Sequence, residues 1–276
     1  SGDGGDEAFA GYERYAAMGL AETIGRAPLL PAAGGRLLRA LPSGRREPRA
    51  TSFRAARLLE TASRPESERY GALVEVFSPK LRSELYSPEL AGDLGQPRSA
   101  ASLLGPPPYE GVSGLQALDA RTYLADDLLV KSDRASMAAS LELRSPLLDH
   151  EVVELGLSLP DSLKLDGRRG KVALRRAFAD LLPREIADRR KTGFGVPLGT
   201  WLRGPLRDVA GDLLLDERAR TRGRFRAGVV ERLLTDHARG KRDHGHRLWC
   251  LLVLELWQRT WLEGSAVPEP ALGAST

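Results

Sequence analysis

Apolar residues recur along this chain at helical spacing, and no series of segments shows the period-two alternation of half-buried strands. That pattern constrains the fold strongly. A chain with few or no strands must bury its core between helices, so a mainly α architecture is expected. Glu7 to Met18 carries Phe9, Tyr12 and Tyr15 at three-residue spacing, one apolar stripe. Further helices are expected over 52–62, 66–76, 115–141, 149–159, 170–182, 200–215, 227–239 and 243–263. Ser78-Pro79 reads as an N-cap with proline in the first helical position of a turn reaching Tyr86. Pro28, Pro31, Gly34, Gly35 and Pro42 interrupt the chain, and 90–111, with its triple proline Pro106 to Pro108, reads as a mobile loop. The Ala/Pro/Gly/Ser-rich residues 263–276 are expected to form a disordered tail.

The 276 residues suffice for one large domain or two small ones. With 41 basic against 37 acidic residues the net charge is only +4, which offers little to a nucleic acid partner. The basic excess gathers in 36–54 and 218–226, where only Phe53 and Phe225 interrupt the arginines. Neither stretch offers a stacking series, so both read as solvated surface. The single cysteine, Cys250, excludes an internal disulfide framework and a multi-cysteine zinc site. It lies in the apolar run Leu248 to Leu254 and reads as a small buried hydrophobe. That run is too short to span a bilayer. No signal peptide is visible, so a cytoplasmic location is expected.

Chemistry gathers in three segments. The first is Ser1-Gly2-Asp3-Gly4-Gly5-Asp6-Glu7, which begins without methionine and suggests a longer polypeptide. Its glycines permit positive φ and let backbone N–H groups approach a ligand. Its three carboxylates stand at a helix start, where they suit the dipole and could hold a hard cation such as Mg²⁺. A glycine-rich turn opening a helix also suits phosphate. A capped turn with Ser1 or Asp3 as N-cap is the competing reading.

In the second segment, Asp127, Lys131 and Arg134 share a helical face, beside the small residues Ala135 to Ser140. Either this is a surface ion ladder or the charged face looks onto a polar cavity. Leu141 to Asp149 then runs extended ahead of Pro146. Asp149 caps the next helix, and His150, His237, His244 and His246 read as solvated. The third segment, Arg189 to Gly199, is basic and glycine-rich. Lys191 beside flexible glycines could grip a phosphate or pyrophosphate, although the order of Lys and Gly excludes a Walker loop.

At these residues the chain resembles the C-terminal part of the glutamine-hydrolysing asparagine synthetases, within the ATP pyrophosphatase (PP-loop) superfamily. The matching pieces are Ser1 to Glu7 with Gly11-Tyr12, Asp126-Asp-Leu-Leu-Val-Lys131-Ser-Asp-Arg-Ala-Ser-Met137, and Leu141-Glu-Leu-Arg-Ser-Pro-Leu-Leu-Asp149. Leu159 to Lys164, Leu182-Pro183, Arg190 to Leu198, Trp201 to Pro205, Asp243-His244 and Leu248-Trp249 complete a series that runs in order from residue 1 to about 262. The resemblance implies a fold that is mainly α in this piece, the helical C-terminal portion of an α/β synthetase domain over 1–262.

The resemblance also implies an ATP-dependent ligase in which the aspartate β-carboxylate attacks the α-phosphate of Mg-ATP. β-Aspartyl-AMP and pyrophosphate form, and ammonia from glutamine displaces AMP. Lys191, Lys131 and Asp6 would then be catalytic, Ser1, Gly2, Asp3, Gly4, Glu7, Asp127 and Arg144 would bind nucleotide or substrate, and Asp3 and Asp6 would meet Mg²⁺. Asp126 is a weaker candidate. The implied partners are aspartate, ATP and a glutaminase domain, with a homodimer admitted and neither nucleic acid nor membrane involved. The family's first phosphate loop, of Ser-Gly-Gly-x-Asp-Ser type, and its glutaminase domain are not in these 276 residues. The piece alone is therefore expected to be inactive. Two other readings stand beside this one: a related ligase, similar to β-lactam synthetase, that adenylates another carboxylate, and a non-catalytic helical module.

Overall fold

A computed structural model describes residues 1–26, 51–187, 189 and 195–264. The Pro/Gly breaks from Pro28 to Pro42, Lys191 and residues 265–276 lie outside the described residues. The chain is mainly helical, as its periodicity predicts. The two strands found among the described residues, Leu165–Asp166 and Arg169–Gly170, form a two-residue antiparallel ladder pairing Leu165 with Gly170 and Asp166 with Arg169. The described residues fall into two compact units.

The first unit packs helices Gly5–Ala8, Glu13–Gly25, Glu66–Val74 and Gly111–Asp119 around Ala10, Tyr15, Tyr70, Val112, Leu115 and Leu118. The single helix expected from Glu7 to Met18 is in fact two. Gly11 N–H donates to the Asp6 carbonyl at 2.8 Å and Ala10 takes φ 53°, which ends the first helix before Glu13 opens the second. Residues 90–111 also differ from expectation, because they contain helix Ala100–Leu104 and most of helix Pro88–Leu94. The overlooked signals were caps. Ser87 Oγ accepts from Leu90 N and Ser99 Oγ from Ser102 N, each at 3.1 Å. Ser78 and Asp149 cap their helices as expected. Helix Ala100–Leu104 docks where Gly71 offers no side chain: a Cβ there would lie 2.3 Å from Ala101 N.

The long helix expected over 115–141 forms in three joined pieces, α Gly111–Asp119, π Ala120–Leu129 and α Val130–Ala138. Its wide central turns are rare and often accompany functional positions. The charged residues on it, Asp126, Asp127, Lys131 and Arg134, are exposed, so the structure corrects the expectation of an inward-looking face. Ala135 to Ser140 are not buried either.

The second unit packs helices Pro79–Leu85, Arg207–Leu215, Ala227–Ala238 and Gly245–Trp257 around Leu85, Leu202, Ala210, Val230, Leu233, Leu248, Leu251 and Leu252. Cys250 sits on the exposed face of the last helix and is not the buried hydrophobe expected. The alternation of faces along a helix decides this, since Leu248, Leu251 and Leu252 take the inward positions.

His237 and His244 are likewise buried, contrary to the solvated reading, because each finds polar partners inside. His237 Nδ1 accepts from His244 N at 3.1 Å, while its Nε2 lies 3.0 Å from the Gly199 carbonyl. Burial, aided by the Arg247 guanidinium, pushes His244 down to about 4. In the unfolded chain its imidazole takes a proton near pH 6.5. Stability from neutral His244 is therefore full above about 6.5 and lost as pH falls towards 4, at up to about 1.4 kcal/mol per pH unit. His244→Asn, which carries no titrating proton, is expected to flatten the fall of the urea midpoint between pH 6.5 and 4.5. Equal pH slopes in the variant and the wild type would contradict the assignment.

Candidate active site

Three segments of the first unit meet around the acidic glycine loop. Gly4 takes φ 85° and precedes the short helix Gly5–Ala8. Its missing side chain matters, because a Cβ there would stand 2.2 Å from Leu148 Cδ2, and one on Gly5 would stand 2.6 Å from Leu147 Cδ1. The 3₁₀ turn Pro146–Leu148 is thus seated directly against the loop. The Ser1 nitrogen donates to the Arg144 carbonyl at 2.5 Å, and Ser1 Oγ lies 3.1 Å from Ser145 Oγ. From helix Val130–Ala138, Ser132 Oγ donates to Asp3 Oδ2 at 3.2 Å, and Ser1 Oγ donates to the same oxygen at 2.6 Å.

Asp3 is therefore held by two neutral hydroxyls. Asp6 is not in that position. Lys171 Nζ lies 2.9 Å from Asp6 Oδ1, with both side chains about a quarter exposed, at 27% and 24%. Glu7 points inward at 3% exposure and accepts the Tyr12 hydroxyl at 2.5 Å on Oε1. Gln116, fully buried, donates Nε2 to the Glu7 and Ala8 carbonyls at 2.6 and 2.8 Å and so fixes the floor of the loop.

Behind the loop lies a charged aromatic cluster. The Arg14 guanidinium stands 4.0 Å from the Tyr12 ring centroid and 4.8 Å from that of Tyr123. Asp119, 2% exposed, takes Arg14 Nη2 at 2.7 Å and the Tyr15 hydroxyl at 2.6 Å on one oxygen. Burial raises the Tyr12 and Tyr15 hydroxyls far above their ordinary range, so both stay donors.

Burial also raises Glu7 above the usual carboxylate value, against the opposing hydrogen bond from Tyr12. A carboxyl raised by folding contributes stability below its unfolded value and loses it as pH climbs through the folded one. The Glu7 carboxyl therefore stabilises the fold less at pH 7 than at pH 4. Glu7→Gln keeps an acceptor for Tyr12 and is expected to raise the urea midpoint at pH 7, with the gain shrinking towards pH 4. A variant no more stable than the wild type at pH 7 would refute this.

Of the residues the sequence singles out, Ser1, Gly2, Asp3, Gly4, Asp6 and Glu7 form the loop, and Ser132, next to Lys131, brings its helix to it. Lys131, Asp126 and Asp127 are exposed. The Arg144 side chain pairs on the surface with Glu142 at 2.7 Å, an exposed contact of little energetic weight, while its backbone carbonyl holds Ser1. Sequence reasoning missed Lys171, Ser132 and Ser145. The Gly170-Lys171 step was visible as a helix start, but nothing in its spacing pointed to Asp6.

Asp3 and Asp6, the carboxylates expected to meet Mg²⁺, do not converge with a third ligand. No group of three or more His, Cys, Asp or Glu side chains among the described residues could hold a metal ion. Asp6 is also neutralised by Lys171. Asp3 and Asp6 could at most supply two carboxylates to a Mg²⁺ whose other ligands would be substrate phosphates and water. No described helix is long and apolar enough to cross a membrane.

Residues 1–259 match the family model described as asparagine synthase. A Mycobacterium tuberculosis protein provisionally named a glutamine-hydrolysing asparagine synthetase is 35% identical, over 98% of this chain and 40% of its own length. The Bacillus subtilis glutamine-hydrolysing asparagine synthetase 1 is 28% identical over 98% of this chain and 41% of its own. The Gallus gallus asparagine synthetase is 40% identical over a shorter stretch, 32% of this chain and 16% of that protein. The chain spans about two fifths of the length of the first two relatives. No solved structure matches. With an acidic glycine loop seated on the Ser145 to Leu148 turn and a family match along nearly its whole length, the chain belongs to the asparagine synthase family.

Proposed function

We propose that this chain supplies part of the synthetase site of an ATP-dependent, glutamine-hydrolysing asparagine synthetase and works with sequence its longer relatives possess. The observation that carries the reading is the junction of Ser1, Asp3, Ser132 and Ser145, which gathers three of the matching pieces, 1–7, 126–137 and 141–149, at one ledge. Nothing in the described residues lies within 4 Å of a Cβ built on Gly2.

In this reading the loop from Ser1 to Gly4 cradles nucleotide or substrate, with Asp3 orienting a cationic or hydroxyl-bearing group through its carboxylate. The aspartate carboxylate would attack the α-phosphate, pyrophosphate would leave, and ammonia would displace AMP. Lys131 and Lys191 would counter the charge on the phosphates as mobile point charges. Asp127 and the Arg144 backbone carbonyl would line the approach. Glu7 serves from beneath, through Tyr12, by holding the loop.

The test is product analysis of the chain expressed with its natural upstream sequence and supplied with ATP, aspartate and either glutamine or ammonium. Asparagine and pyrophosphate in equal amounts are expected, and the chain alone should yield neither. Pyrophosphate released with a different carboxylate and not with aspartate would move the assignment to a related ligase. No pyrophosphate from any carboxylate would end the enzyme reading.

A further inference from the structure

We infer that Lys171 is a positioning residue of this site: its ammonium holds Asp6 as a counter-ion, sets the course of the acidic loop, and leaves Asp3 as the loop's ligand-facing carboxylate. The inference rests on the proposed function and deepens it.

The geometry around Lys171 is built from both sides. Lys171 has φ 59°, a left-handed conformation that a lysine adopts at a cost and a glycine would adopt freely. Opposite it, Ala10 has φ 53°. Two non-glycine residues in that region therefore face each other where the loop ends. Strain of this kind persists only where the surroundings impose it, and it clusters at functional positions. Here the surroundings are explicit. Lys171 N–H donates to the Phe9 carbonyl at 3.0 Å, and a Cβ on Gly170 would stand 2.2 Å from the Ala10 carbonyl oxygen. A Cβ on Gly11 would meet Asp6 Oδ1 at 1.9 Å and Lys171 Cε at 2.4 Å. Gly11 thus leaves room for the lysine stem, Gly170 lets the two backbones approach beside it, and the strained backbone of Lys171 aims the stem at Asp6.

The two carboxylates of the loop are treated differently as a result. Asp6 faces an ammonium 2.9 Å away, so its charge is already countered. Among the described residues the Asp3 carboxylate accepts from the hydroxyls of Ser1 and Ser132, and its own backbone N–H donates to Ser1 Oγ, so these partners are neutral. A ligand reaching this ledge meets one carboxylate paired with an ammonium and one held by hydroxyls.

The experiment compares Lys171→Met, Lys171→Gly, Lys171→Arg, Asp6→Asn and the double variant Lys171→Met with Asp6→Asn, in the chain expressed with its upstream sequence. Lys171→Gly accepts the same backbone angles and guards against simple misfolding. Aspartate-dependent pyrophosphate release is expected to lose about tenfold or more in kcat in Lys171→Met and Lys171→Gly, with KM for ATP changing less than about threefold. The double variant should be no slower than the worse single one, and Lys171→Arg should recover to within about threefold of wild type. Losses that add in the double variant, unchanged rates in Lys171→Met, or a KM for ATP raised about tenfold at constant kcat would overturn the inference. The last outcome would mean that Lys171 grips the nucleotide directly. If the wild type releases no pyrophosphate, the proposed function fails, and urea midpoints still judge the pair. Equal midpoint shifts in the single and double variants support the pairing; shifts that sum overturn it.

Discussion

Asp119→Ala is expected to destabilise the protein by about 3 kcal/mol or more, because it strands a charge. Asp119 is 2% exposed and accepts from Arg14 Nε at 3.0 Å, Arg14 Nη2 at 2.7 Å and the Tyr15 hydroxyl at 2.6 Å, all on Oδ2. Removing one member of a buried pair costs about 3–5 kcal/mol, since the partner's desolvation is no longer offset. The Arg14 side chain keeps 23% exposure, which places the loss at the lower end of that range. The Tyr12 and Tyr123 rings against its guanidinium supply only part of what the carboxylate gave. Tyr15→Phe removes a single hydrogen bond to a charged acceptor and should cost about 1.5–3 kcal/mol, less than the carboxylate. Urea unfolding of both variants checks the order. A loss below about 1 kcal/mol for Asp119→Ala would show that water replaces the carboxylate, and that the cluster is surface in character. Tyr12 links Arg14 to Glu7, so Asp119→Ala is also expected to disturb the acidic loop some distance away.

Leu248→Ala is the second large effect, and it acts on the other unit. Leu248 is 0% exposed within the cluster formed with Leu85, Leu202, Ala210 and Val230. Truncating a buried leucine loses transfer free energy and leaves a cavity, together about 2–5 kcal/mol. Val253 lies on the same helix but is 48% exposed, so Val253→Ala should cost no more than about 0.5–1 kcal/mol. Calorimetry or urea unfolding of the two variants compares the faces directly. Equal losses would mean that the helix presents a different side to its core.

Leucine and valine at three- and four-residue steps predict most helices of the second unit to within a few residues, because burial of one stripe is a local demand on sequence. Ser78 and Asp149 as caps were legible for the same reason: each cap is made within three residues. The break at Ala10 and Gly11 was not legible. It depends on Lys171, some 160 residues later, whose N–H takes the Phe9 carbonyl. The site divides along the same line. Ser1 to Glu7 is conspicuous because glycines and carboxylates alternate in one string, whereas Ser132 and Ser145 become partners of the loop only through folding. His237 and His244 looked solvated because seven residues separate them in sequence, although Nδ1 of one meets the backbone N–H of the other.

The π-helical stretch Ala120–Leu129 acts as a rotational setting for all that follows it. An α-helix turns about 100° per residue and a wide turn somewhat less, so removing one residue while the wide turns persist would swing helix Val130–Ala138 by most of that angle. Ser132 would leave Asp3, and a different residue would come to face the loop. Segment length, counted in single residues, thus specifies which side chain meets the acidic ledge, independently of what those residues are.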